Sequence, residues 1–176
     1  MDIQPLIINF VKKLQDNKIG FGETKLVKYL YLAEIEYYRR KRKRLTSLDW
    51  TYYKFGPYIM NWNELIDSPS LEVEKDRDDF TMFSIREYMP IPNIPDEINQ
   101  IIDLVIRKYS KLNLNELLEL VYSDTEPMLE VTERGELLNF GCILPQEYFV
   151  IKPSKLTQKD IAKITQKYSE LIKNAK

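Results

Sequence analysis

A chain of 176 residues, 44% hydrophobic and 30% charged, is sized and balanced for one globular domain with its own core. A net charge of −1 excludes a global electrostatic pull toward nucleic acid or a membrane surface. With no histidine and a single cysteine, Cys142, the chain lacks the commonest general base and metal ligand, an internal disulfide and a cysteine-built zinc site.

The opening "MDIQPLIINFVKKL" sets Ile3, Leu6, Ile7, Phe10, Val11 and Leu14 at helical spacing. It predicts an amphipathic helix closed by "DNKIGFG". It lacks the basic start, long apolar core and cleavage site of a signal peptide, and charge interrupts it well short of the roughly twenty apolar residues a bilayer span needs. A cytoplasmic, soluble protein is expected, and the lone cysteine suits a reducing compartment.

Between Leu26 and Tyr38 only Lys28, Glu34 and Glu36 are charged. Apolar side chains therefore point in nearly every direction, as on a helix at the centre of a domain. The stretch "WTYYKFGPYIMNW", Trp50 to Trp62, follows. Its residues 49–55 suit a strand, Gly56 and Pro57 a tight corner, and Pro57 the first position of a short helix continued by Ile59, Trp62, Leu65 and Ile66. "LEVEKDRDDFTMFSI" reads as a hairpin around an acidic turn.

Ile98, Ile101, Ile102, Val105, Ile106 and Tyr109 repeat a helical stripe behind Pro95, Asp96 and Glu97. Asn113 and Glu116 form a capping-box pattern ahead of Leu114, Leu117, Leu118, Val121 and Tyr122. "YSDTEPMLEVTERGELL" holds a further short helix, "EYFVI" suits a last strand, and Thr157 with Asp160 opens a final helix with Leu156 stapled onto Ile161. The expected fold is α+β and spans residues 1–176 as one domain: mainly α, a central apolar helix surrounded by amphipathic helices, with a small antiparallel β-sheet.

Several features compete as sites. The basic run Arg39 to Arg44 fits a solvated helix end, a partner patch or a phosphate contact. An acidic stretch further along the chain (Glu116, Glu119, Asp124, Glu126, Glu130, Glu133 and Glu136 against Arg134) gives opposite local charges that suit a protein partner or internal pairing better than DNA. Glu23 with Lys25, and Glu74 with Lys75, echo half of a metal-nuclease motif, a pattern that chance supplies readily in so charged a chain. Cys142 has no imidazole to activate it and is expected in the core. The aromatic stretch either packs beneath the Gly-Pro corner or leaves rings exposed as a partner's anchor. Strand alternation sends Trp50, Tyr52 and Lys54 to one face and Thr51, Tyr53 and Phe55 to the other.

"KLVKYLYLAEIEYY", a charged loop and "WTYYKFGPYI" together resemble the start of the Panacea domain, the SocA-like antitoxin family. Tyr31 and Ala33 match its Tyr-x-Ala pattern, and Gly56 and Pro57 its Tyr-Gly-Pro, with Phe55 in place of the tyrosine. "ELLELVYSDTEPMLEV" echoes its second motif, with Tyr122, Ser123, Pro127 and Met128 at the His, Ser, Pro and Trp positions. The resemblance covers roughly residues 20 to 140. It implies a cytoplasmic binding protein, not an enzyme, that neutralises a cognate protein toxin by direct contact. Such proteins are often carried by phages or mobile elements, and SocA-like members also act as adaptors to a protease. Many relatives carry an added DNA-binding domain, for which this length leaves no room.

On this reading the partner-binding residues are Trp50, Tyr52, Tyr53, Phe55, Gly56, Pro57, Tyr58, Trp62, Asp124 and Pro127. No catalytic residue, cofactor, metal, membrane or nucleic acid is expected, and a homo-oligomer stays open. A DNA-binding regulator that uses the basic helix end and the hairpin, a proteolytic adaptor, and a carboxylate hydrolase are the alternatives.

Overall fold

The computed structural model describes residues 1–75 and 80–145. The expected acidic turn at residues 76–79, the "EYFVI" strand and the final helix of Leu156, Thr157, Asp160 and Ile161 lie outside them. Helix α1 spans Ile3–Asp16 and begins where the Asp2 carboxylate accepts from the Gln4 N–H. Helix α2 spans Glu23–Lys41 and ends in three basic residues, with Arg42 in the left-handed region at φ 55°. α4, Asp96–Tyr109, starts with two acids after Pro95, and α5, Leu114–Asp124, carries a complete capping box from Asn113 and Glu116. Two short helices, α3 (Trp62–Leu65) and α6 (Glu126–Glu130), and a 3-10 turn at Phe140–Cys142 complete the helical part. No helix among the described residues is long and apolar enough to cross a membrane.

α2 is the centre. Every residue from Leu26 to Tyr37 is buried, three charged side chains included. α1, α4 and α5 pack around it, and the apolar stripe of α4 (Ile98, Ile101, Ile102, Val105, Ile106) faces inward. Cys142 is buried as expected.

The strands differ from expectation in two ways. Two separate two-stranded antiparallel sheets form rather than one: β1 (Thr51–Tyr53) with β2 (Gly56–Tyr58), and β3 (Leu71–Lys75) with β4 (Thr81–Ile85). Pro57, expected to open a helix, instead pairs with Tyr52 inside β2. The physical reason is Gly56. At φ +88° it closes a tight hairpin over Lys54 and Phe55, so the chain turns back along β1 before α3 can begin.

Burying α2 on all sides leaves its polar side chains without water, and Glu34 shows the consequence. Its carboxylate accepts from the Leu45 N–H at 2.7 Å, the Thr46 N–H at 3.2 Å, the Thr46 hydroxyl at 2.6 Å and Arg44 Nε at 2.7 Å. These bonds fold the segment after α2 back onto the helix and so set where β1 starts. Glu34→Ala would break the ion pair to half-exposed Arg44 and leave the Leu45 and Thr46 N–H donors unpaired in the interior, and is expected to cost about 2–4 kcal/mol of unfolding free energy measured by urea denaturation. Glu34→Gln, which keeps one acceptor oxygen, is expected to cost less.

Candidate partner-binding surface

The Gly-Pro corner is clamped from both sides. Beneath it, Lys28 of α2 is wholly buried and its Nζ donates to the Pro57 carbonyl at 2.7 Å. A side chain at Gly56 would point at the Tyr122 ring, 3.5 Å away, and at Lys28 Cε, 3.7 Å away. On the outer flank, residues 135–138 run along β1. Gly135 N–H donates to Tyr52 O at 2.7 Å, Tyr52 N–H to Glu136 O at 2.9 Å and Leu138 N–H to Trp50 O at 2.8 Å. The β1–β2 hairpin is thus a short projection with both bases tied down.

Two tryptophans expected at the partner surface are inside. Trp50 and Trp62 are each 1% exposed. Trp50 packs edge-on against Tyr31 at 5.4 Å, and Trp62 against Phe83 at 6.3 Å. Gly56, Pro57 and Pro127 are buried as well, so these five residues shape the surface without forming it. Tyr52 and Tyr58 are half-buried: Tyr52 meets Tyr122 edge-on at 6.1 Å, and Tyr58 donates to Glu23 Oε1 at 3.4 Å. Tyr53 and Phe55 stand out at 47% and 52% exposure, with the Lys54 ammonium over the Phe55 ring. Asp124 is exposed elsewhere, on a groove of about 410 Å3 between α2, α4, α5 and α6. It does not join the aromatic corner.

Four residues of the basic run, Arg39, Lys41, Arg42 and Arg44, are bonded to other parts of the fold. Arg39 pairs with Glu126 at 2.8 Å, Lys41 with Glu97 at 2.7 Å and Arg44 with Glu34. The Arg42 guanidinium donates to the Ile143 carbonyl and lies over Tyr38, and that of Arg44 lies over Phe140. Of the readings that the sequence left open for this run, the solvated helix end agrees with the exposure of Arg40, Lys41, Arg42 and Lys43, and the internal pairing expected of the opposite charges is displayed by Arg39, Lys41 and Arg44. Glu23 and Lys25 lie in the first turn of α2, whereas Glu74 and Lys75 lie in β3, so the two acid-lysine pairs belong to different elements.

A second groove, which the sequence did not reveal, holds about 570 Å3 between Phe21, Gly22, Phe80, Met82 and Leu114. Three distant segments build it, so no local pattern marks it. Glu23, the acceptor for Tyr58, lies on its rim.

Burial alone drives the Lys28 amine down from 10.5 to about 7. No carboxylate is bonded to it; among the described residues its one hydrogen bond goes to a neutral carbonyl. Burial, reinforced by Glu23, raises the Tyr58 hydroxyl to about 12.

The family model described as "Antitoxin SocA-like, Panacea domain" matches residues 26–127, a span from α2 through the corner to the start of α6. Comparison with curated proteins and with solved structures gave no match.

Two predictions follow the corner. Between pH 7 and 10.5 the unfolded chain holds a proton on Lys28 that the folded chain releases, so this group adds stability as pH rises through that window. Lys28→Met is expected to flatten the stability rise from pH 7 to 9 in thermal melts, since it removes the group whose proton is lost on folding. Gly56→Ala, forced to keep φ +88°, is expected to destabilise by about 1–2 kcal/mol in the same melts.

Proposed function

The chain belongs to the SocA-like antitoxin, Panacea-domain family, and we propose that it neutralises a cognate protein toxin by direct binding at the aromatic corner, without chemistry of its own. What supports this reading is a pair of exposed rings, Tyr53 and Phe55, on a hairpin tip whose base is fixed by Lys28, Tyr122 and residues 135–138. Large aromatic side chains dominate binding energy when they enter a partner's pocket. A rigid tip gives up little conformational freedom on docking. The second reading, a DNA-binding regulator, has less to stand on, because most of the basic run already serves contacts within the fold.

The test is co-expression with the product of the adjacent gene, reading growth and a stoichiometric complex by gel filtration. The native chain is expected to restore growth and co-elute. Tyr53→Ala with Phe55→Ala is expected to weaken the complex about 30-fold or more while leaving the melting curve in place, since both rings are exposed. No complex and no rescue by the native chain would remove this reading.

A further inference from the structure

Among the described residues, β3 has an open edge. Arg86 N–H donates to Ser70 O at 3.0 Å, which makes Ser70 and Arg86 a hydrogen-bonded pair. Such pairs alternate along an antiparallel ladder, so Glu72 with Ser84 and Glu74 with Met82 exchange the inner bonds. The backbone groups of Leu71, Val73 and Lys75 therefore point away from β4. Leu71 is satisfied locally: its N–H reaches Ser68 O at 3.0 Å and its carbonyl accepts from the Arg86 guanidinium at 3.4 Å. Val73 N–H and C=O and the Lys75 N–H have no partner among the described residues. The matching edge of β4 is covered, for α1 packs along it and Gln15 Oε1 accepts from the Ile85 N–H at 3.0 Å.

An unpaired edge is a template for another strand, and its charges choose which. The outer face of β3 presents Glu72 and Glu74, both exposed and without a cation bonded to either among the described residues; the Ser84 hydroxyl, at 3.4 Å, is the one donor on Glu72. A second copy of the chain is a poor occupant. Outward-bonding residues on this edge are odd-numbered, so self-pairing must match odd with odd and even with even. Centring on Val73 sets Glu72 against the other copy's Glu74 twice, and centring on Glu72 sets that residue against itself. Like charges directly opposed destabilise a strand pair. A strand with cations at alternate positions gains at both sites.

We propose that the open edge of β3 accepts an extended segment of the partner as an added antiparallel strand. Its basic–apolar–basic triplet would set the apolar residue opposite Val73 and a Lys or Arg opposite each of Glu72 and Glu74. Backbone bonds at Val73 give the register and the carboxylates give the choice of sequence. Assigning the segment to a toxin rests on the function proposed above; the edge itself does not.

The probes are the end-blocked peptides TKVKVKT and TEVEVET, with backbone amide exchange at Val73 read by NMR. TKVKVKT is expected to slow that exchange at least tenfold, and TEVEVET to leave it unchanged. Val73→Pro removes only the outward N–H, leaves the β3–β4 ladder intact and should abolish binding. If that variant does not fold, Glu72→Lys with Glu74→Lys leaves the backbone alone and should reverse the preference to TEVEVET. Unchanged exchange with TKVKVKT, tighter binding of the acidic peptide by the native chain, or protection that grows with protein concentration without peptide would each overturn the proposal. The co-expression experiment separates the two ideas. Rescue by the native chain that survives in a folded edge variant removes the edge as the toxin's dock, while absence of native rescue removes the antitoxin reading and leaves the peptide result to decide the edge.

Discussion

The constraint on which the rest depends is the burial of α2 on every side. A helix closed off from water must place each of its polar atoms against protein, and leaving one unpaired costs more than most single contacts contribute. Lys28 is bonded to the Gly-Pro corner, Glu34 to the loop that follows α2, and Glu36 to Lys108 and Tyr109 of α4. The Tyr31 hydroxyl lies 3.1 Å from Thr125 Oγ1, between α5 and α6. Lys28, Tyr31, Glu34 and Glu36 thus each fasten a different neighbour, while the buried Tyr29 hydroxyl has no partner among the described residues, and the helix works as a spine with fixed sockets. Apolar packing supplies most of the drive to fold, but it does not say where along the helix each element must land. The sockets do.

This arrangement explains how so short a hairpin can hold a defined shape. Two strands of three residues each form a ribbon too small to stand alone. It persists because Lys28 holds one strand from below and residues 135–138 pair with the other from outside. The cost of keeping an amine dry falls where it fixes the shape of the corner.

The elements whose signal is local were legible in the sequence. α1 and α4 follow from the spacing of their apolar residues, α5 from Asn113 and Glu116, and the central place of α2 from its scarcity of charge. What was not legible depends on distance along the chain. The basic run invites a surface reading because its partners, Glu97 and Glu126, lie far downstream and nothing near the run announces them. Lys28 is the same case in reverse: a lysine one would place in water is buried because the corner supplies one carbonyl at the right spot. Pro57 sits in a strand because the preceding glycine turns the chain early, a choice local propensity leaves undecided. The aromatic stretch divides between interior and surface, with Trp50 and Trp62 in the core and Tyr53 and Phe55 exposed.

Charge accounting across the fold then bears on specificity. Three cations of the run Arg39 to Arg44 are paired with carboxylates of the fold, Arg39 with Glu126, Lys41 with Glu97 and Arg44 with Glu34, so they offer a partner little that is not already taken. Exposed rings attract any complementary apolar pocket, and by themselves discriminate weakly. Discrimination requires a group whose interaction with a wrong partner is repulsive. Glu72 and Glu74 qualify, because they flank an edge whose backbone bonds would otherwise accept any extended chain. If aromatic contact supplies most of the affinity and this pair supplies the veto, the two can change independently, since they sit on separate hairpins joined to the same spine. A chain built this way can keep its core and its anchor while altering which partner it accepts by exchanging side chains that touch neither.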